Sequence, residues 1–214
     1  MSGGGVFVAA DVHYLAAGGA RAAAVVAADT FFSYLIADRI AVVPEVEPYQ
    51  PGRFYLRELP PLRAVLDGLD QMALLIIDGY ANLDPDGRPG LGARAREEFG
   101  VPVIGVAKSA LRSATHAIPV LRGTSARPLH VTAAGMPRTD AADLIRHMAG
   151  QHRLPDALRR VDSLARHGLP QPPRRRRTPA HSSAEPTVWT WAKQRAGRDA
   201  WVIRPARLAP MGSP

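Results

Sequence analysis

Residues 48–58 read PYQPGRFYLRE, and this stretch separates two kinds of pattern in the chain. Tyr49 stands between Pro48 and Pro51, which stiffen the backbone, Gly52 follows as a permissive hinge, and Glu58 comes where an apolar segment begins. The design presents one aromatic ring and one carboxylate. A ring on a stiffened loop resists collapse into a core and is available to press against something flat, such as a nucleobase. An ordinary proline turn that packs its tyrosine has the same signature.

Upstream of that loop the chain reads as strands. Residues 5–14 (GVFVAADVHY) form an apolar, β-favouring run interrupted by Asp11. A carboxylate inside a buried strand is costly unless a cation or a set of donors receives it. By the period of two, Asp11 and His13 share a face. Gly18 and Gly19 mark a turn, and 21–28 and 31–43 read as two further strands. Three successive strands predict an antiparallel meander.

Downstream the pattern changes. Pro60 and Pro61 suit a first helical turn, with Leu62, Val65, Leu66 and Leu69 at helical spacing, which places Glu58 at the entrance of a helix. Residues 72–77 (MALLII) read as a strand buried on both faces, ending in Asp78-Gly79. A carboxylate at the end of a central strand sits where open sheets place their chemistry. Residues 80–92 (YANLDPDGRPGLG) are loop. A short helix over 94–99 and a strand over 101–108 (VPVIGVAK) that delivers Lys108 to its end come next. Short strands over 116–122 and 129–132 and helices over 140–149 and 155–166 complete the body. The sum is a three-layer α/β fold around a mixed sheet, in one domain over residues 1–169.

From residue 170 the composition shifts. QPPRRRRTPAHSSAEPT (171–187) is rich in proline and charge and nearly free of aliphatic residues, so the tail over 170–214 is expected to be largely disordered. Its last part sets Trp189, Trp191 and Trp201 among Arg and Lys, a pattern that suits either stacking on single-stranded bases or a small hairpin docked on the body. The tail holds nine of the basic residues against Glu185 and Asp199, so most of the chain's net charge of +8 resides there. A polyanionic partner follows from that asymmetry. With no cysteine, thiolate metal sites, disulfides and cysteine nucleophiles are excluded. No apolar run approaches the roughly 20 residues that cross a bilayer, and no basic region followed by a long apolar one opens the chain. A soluble, cytoplasmic protein without a membrane partner is expected.

Asp11, Glu58 and Asp78 are three carboxylates at or beside the ends of predicted buried elements. Phosphodiester hydrolysis uses such a set, because hard oxygen ligands hold Mg²⁺. Their surroundings sharpen the reading. ADVHY with Asp11, PYQPGRFYLRE with Tyr49 and Glu58, the strand ending in Asp78-Gly79, GVAKSAL with Lys108, and HRLPDALRRVDSLA over 152–165 together resemble the endonuclease V family, the deoxyinosine 3′ endonucleases. The resemblance covers residues 5–167 and implies an RNase H-like fold. It further implies that Asp11, Glu58 and Asp78 hold the divalent metal, Mg²⁺ or Mn²⁺, as the catalytic set, with Lys108 on a phosphate near the cut. Tyr49 and Pro51 would belong to a wedge that fills the space of an extruded base. Gly52, Gly79 and Gly105 would help line the pocket around a flipped hypoxanthine. The implied activity is DNA repair by cleavage 3′ to deoxyinosine, and a monomer is expected.

Two stretches depart from the family pattern. Ala81 replaces a glycine and Asp84-Pro85-Asp86 stands where His-Pro-Arg is usual, while Gly135-Met136-Pro137 replaces Gly-His-Arg. These changes keep in view a catalytically weakened nucleic-acid-binding homologue, and the resemblance itself adds a second alternative, a ribonuclease specific for inosine in RNA, since some relatives act there. The remaining histidines show no paired metal-ligand spacing, and His13 alone is placed to stand in for a lost imidazole.

Overall fold

A computed structural model describes residues 5–169, 189–195 and 201–207. The body begins with the expected meander, β1 (Val6–Tyr14), β2 (Ala20–Ala27) and β3 (Leu35–Val43), paired antiparallel in register Asp11 to Ala23 and Ala23 to Ile40. The third strand starts four residues later than the apolar pattern predicts. The Asp29 carboxylate accepts hydrogen bonds from the amides of Phe31, Ser33 and Tyr34, and that turn consumes the strand's first residues.

The helix α1 (Tyr55–Leu66) begins before the prolines rather than at them, so Glu58 lies within its first turn and not at its entrance. Pro60 and Pro61 sit inside the helix, where each removes one backbone donor. Buried Leu62, Val65 and Leu66 bind the helix to the sheet and offset that loss. Then come β4 (Met72–Asp78), α2 (Leu91–Phe99), β5 (Val103–Ala107), β6 (Ile118–Val120), β7 (Leu129–Ala134), α3 (Arg138–His147) and α4 (Asp156–His167).

The seven strands form one mixed sheet in the order β3-β2-β1-β4-β5-β7-β6. β1, β4 and β5 run parallel at its centre, and the flanking pairs are antiparallel. Helices α1 and α2 cover one face, with Val8, Ala10, Leu75, Ile77 and Val103 beneath them. Helices α3 and α4 cover the other, over Ala9, Leu74, Ile76, Ile104 and Val131. Alternation along β1 and β4 thus fixes which helix layer each side chain meets.

The proline- and arginine-rich part of the tail lies outside the described residues. Beyond it, β8 (Trp189–Arg195) and β9 (Trp201–Arg207) pair antiparallel as a hairpin.

Candidate active site

The carboxyl ends of β1, β4 and β5 meet at the middle of the sheet, where the crossover connections leave room above the strands. Asp11 has the parity of Ala9, and Asp78 has the parity of Ile76, so both carboxylates face the α3/α4 layer. α4 turns Leu158, Val161 and Ala165 into that core and carries Asp162 beside them. Asp11, Asp78 and Asp162 each offer a carboxylate oxygen, and those oxygens all lie within 4.8 Å of one another. Hard, anionic oxygens at that spacing fit a divalent cation such as Mg²⁺, so the donor set suits the metal that the sequence implies.

Lys108, just past β5, closes the group. Its ammonium donates to Asp78 Oδ2 at 2.7 Å and to Asp162 Oδ1 at 3.0 Å. Burial opposes its charge, but the two aspartates outweigh that and hold its pKa above the usual lysine value. Asp162 also accepts from Arg166 at 2.8 Å. Burial works against ionisation of Asp162, yet the hydrogen bonds from Arg166 and Lys108 keep its pKa below the usual carboxylate range. Asp11 behaves oppositely. Burial, and then the nearby charge of Asp78, push it up to about 6, against a 2.8 Å hydrogen bond from the Val12 amide.

Glu58 reaches the site from the opposite face, on α1. It is 5% exposed, and its Oε1 accepts a hydrogen bond from the Tyr14 hydroxyl. The Arg57 guanidinium lies 3.8 Å over the Tyr14 ring and braces it. Burial pushes Glu58 up to about 7, the Tyr14 hydrogen bond works against this, and the charges of Asp11 and Asp78 add to it. Glu58 therefore shares the field of the aspartates without belonging to their group of three.

Sequence reasoning missed Asp162. It belongs to a stretch read as a helix and counted among the resembling motifs with no role given to its acid, and Arg166 one turn on makes the pattern of an ordinary solvated pair. The signal for it was positional: an acid one residue after Val161, on the buried side of the helix.

The other nominated residues lie around this group. Gly79 follows Asp78 with φ +122°, a conformation that L side chains rarely adopt, so the chain can turn away at once from the strand. At Gly105 an added Cβ would lie 2.6 Å from the Ala81 amide nitrogen and 2.8 Å from Thr132 Oγ1. The loop after β4 thus rests directly on β5, with the Ala81 amide donating to Thr132 Oγ1 at 2.8 Å. Tyr49 is 62% exposed on the loop ahead of α1, and Pro51 and Gly52 form the exposed turn beside it. Asp84 Oδ1 accepts the Arg88 amide at 2.9 Å and so holds its own turn. Asp84 and Met136, from the two divergent stretches, border one cavity that none of the four acids lines.

Known proteins resemble this chain in sequence and in fold. A family model described as Endonuclease V matches residues 5–134. An endonuclease V of Streptomyces avermitilis is 31% identical over 168 residues, covering 69% of this chain and 73% of that protein. One of Streptomyces coelicolor is 31% identical, covering 78% of this chain and 80% of its own length. The crystal structure of the Streptomyces avermitilis protein superposes with a TM-score of 0.62 over 77% of this chain and 81% of that chain. An endonuclease V of Ciona intestinalis, solved with a 23mer DNA containing an inosine followed by a ribo-adenosine, has the same fold at 18% identity, a TM-score of 0.63, and coverage of 78% and 86%. The mixed sheet with its two helix layers is the RNase H-like fold of these structures.

Proposed function

The chain belongs to the endonuclease V family, a family of nucleases, and on that premise we propose that it is a divalent-metal-dependent endonuclease that cuts a strand on the 3′ side of deoxyinosine. The observation that carries the reading is the convergence of Asp11, Asp78 and Asp162 from three separate elements, with Lys108 between two of them. Asp11, Asp78 and Asp162 would hold Mg²⁺, or Mn²⁺ in its place, with Glu58 completing the field from the α1 side. Such a cation, when bound, activates water and neutralises charge on the phosphate.

The chain's own residues supply the rest. Lys108 presents an ammonium that can turn from Asp78 toward a phosphate oxygen. The Tyr14 hydroxyl, itself under the Arg57 guanidinium, donates to one oxygen of Glu58 and leaves the other unspent on the tyrosine. Tyr49 and Pro51, on the stiffened loop, would fill the gap left by the extruded base, and Gly52, Gly79 and Gly105 would let backbone groups approach it. A poorly paired hypoxanthine costs less to extrude than a normal base, which favours the lesion. In this reading residues 1–169 are the nuclease body, and the basic tail over 170–214 adds attraction to phosphate.

The test is incubation of the purified chain with end-labelled strands that carry one deoxyinosine in DNA or one inosine in RNA, with Mg²⁺ and with Mn²⁺. A single cut 3′ to the inosine, lost on chelation, is expected. Binding without scission under every condition would sink the enzyme and leave a binding protein.

A further inference from the structure

Lys108 is the one lysine among residues 1–169, and the chain's other lysine, Lys193, lies in the tail. Asp78 and Asp162 hold its ammonium. Its main chain, however, leaves the sheet as β5 ends, since Ala107, opposite His130, is the last paired residue of that strand. Past that point no ladder fixes the backbone, and its polar groups need other partners.

Two side chains supply them, from the two segments that carry those aspartates. Tyr80 stands two residues after Asp78. Its hydroxyl donates to the Ser109 carbonyl at 2.7 Å and accepts the Leu111 amide at 2.8 Å. A phenol can do both at once, so one oxygen closes the turn that follows Lys108. Arg153 stands three residues ahead of α4, the helix of Asp162. Its Nη2 donates to the Lys108 carbonyl and, at 2.9 Å, to that of Pro128, while its Nε donates to the Arg127 carbonyl at 3.0 Å. The planar fork thereby ties Lys108 to the turn that enters β7, which the single ammonium of a lysine would not reproduce. Each segment thus grips Lys108 twice, at the ammonium through an aspartate and at or beside its main chain through Tyr80 or Arg153.

We propose that Tyr80 and Arg153 are positioning residues that act through Lys108. They clamp its main chain, so the ammonium moves only about the bonds of its own side chain and stays within reach of the strand-end aspartates. A charge held in place before the reaction stabilises the transition state without reorganisation, whereas a loose one must first be brought in. That the ammonium acts on a phosphate rests on the nuclease reading; that its backbone is clamped does not.

The experiment uses the full chain with isotope-labelled lysine, in which only Lys108 and Lys193 give side-chain signals and Lys108→Arg identifies the first. In the metal-free parent the two protons on the Lys108 ε-carbon are expected to be inequivalent, as in an ordered side chain. Tyr80→Phe, which keeps the ring and loses both hydrogen bonds, should merge them, and so should Arg153→Ala. Ser113→Ala cuts the 2.6 Å bond to the Leu83 carbonyl between the same two loops without touching Lys108, and should leave them apart. In cleavage of a deoxyinosine strand, Tyr80→Phe and Arg153→Ala should each lower kcat about tenfold with KM changed by less than about twofold. In a Lys108→Ala background neither should lower the residual rate further, because groups that act through one residue are not additive. Equivalent protons in the parent, protons unmoved by Tyr80→Phe, protons merged as fully by Ser113→Ala, or an undiminished loss in the Lys108→Ala background would overturn the clamp. Tyr80→Phe decides alone if Arg153→Ala does not fold. The two readings fail separately: a parent that never cuts removes the nuclease while the lysine signal still decides the clamp, and a parent that cuts with an unmoved signal in the variants removes the clamp alone.

Discussion

At the scale of single residues, the site is a store of unfavourable charge that a cation relieves. Asp11 and Glu58 have folded-state pKa values of about 6 and about 7, above the ordinary 3.8 and 4.5. A carboxyl raised in this way favours the folded state fully below its unfolded value, and that contribution is lost as pH rises through the folded one. In a chelator, the melting temperature is therefore expected to fall between pH 5 and pH 7.5, and Mg²⁺ should raise it more at the upper end. Asp11→Asn, which abolishes that ionisation, should make the metal-free protein more stable at pH 7.5 by about 3 kcal/mol, measured by denaturant unfolding, while abolishing cleavage. Asp162→Asn removes one of three clustered carboxylates but leaves Lys108 paired with Asp78. Its folding should persist while Mn²⁺ affinity and cleavage fall by about a hundredfold, worth roughly 3 kcal/mol. Tyr14→Phe removes the donor that favours ionised Glu58, so the pH at which Mn²⁺ binding reaches half its maximum should move upward. An unmoved midpoint would show that the hydroxyl does not tune the carboxylate.

At the scale of elements, the sheet's alternation decides which acids can meet, and much of it was legible. The apolar runs around Asp11 and Asp78 and the buried run before Lys108 predict strands, and β1, β4 and β5 deliver these residues where expected. Other boundaries depended on local chemistry that the apolar pattern does not record. Asp29 tied three amides into a turn and delayed β3, and the packing of Leu62 and Val65 drew α1 forward through two prolines. Asp162 was illegible because a helix shows its buried stripe in sequence but not which strand ends that stripe will cross. The seating of the loop after β4 on Gly105 yields its own prediction. Gly105→Ala places a methyl group 2.6 Å from the Ala81 nitrogen and should displace Gly79 together with Asp78. A destabilisation of about 1–3 kcal/mol and a loss of cleavage larger than the loss of folded protein are expected, read by thermal melts and initial rates on one preparation.

At the scale of the whole molecule, charge and chemistry are kept apart: the body is nearly neutral and most of the net positive charge lies beyond residue 170. Deleting residues 170–214 should leave cleavage at low salt nearly intact and flatten the dependence of binding on salt, by about 0.7–0.9 in log-log slope for each phosphate contact removed. A slope that does not change would make the tail a passenger. The three aspartates, by contrast, are spread along the body, one on its first strand, one on its fourth and one on its last helix. A ribosome releases these elements in order, so a nascent chain still lacking α4 has no complete cation site. On the proposed function, a growing chain gains its third aspartate only after most of its length has been made, and a fragment cut ahead of residue 156 lacks that aspartate altogether.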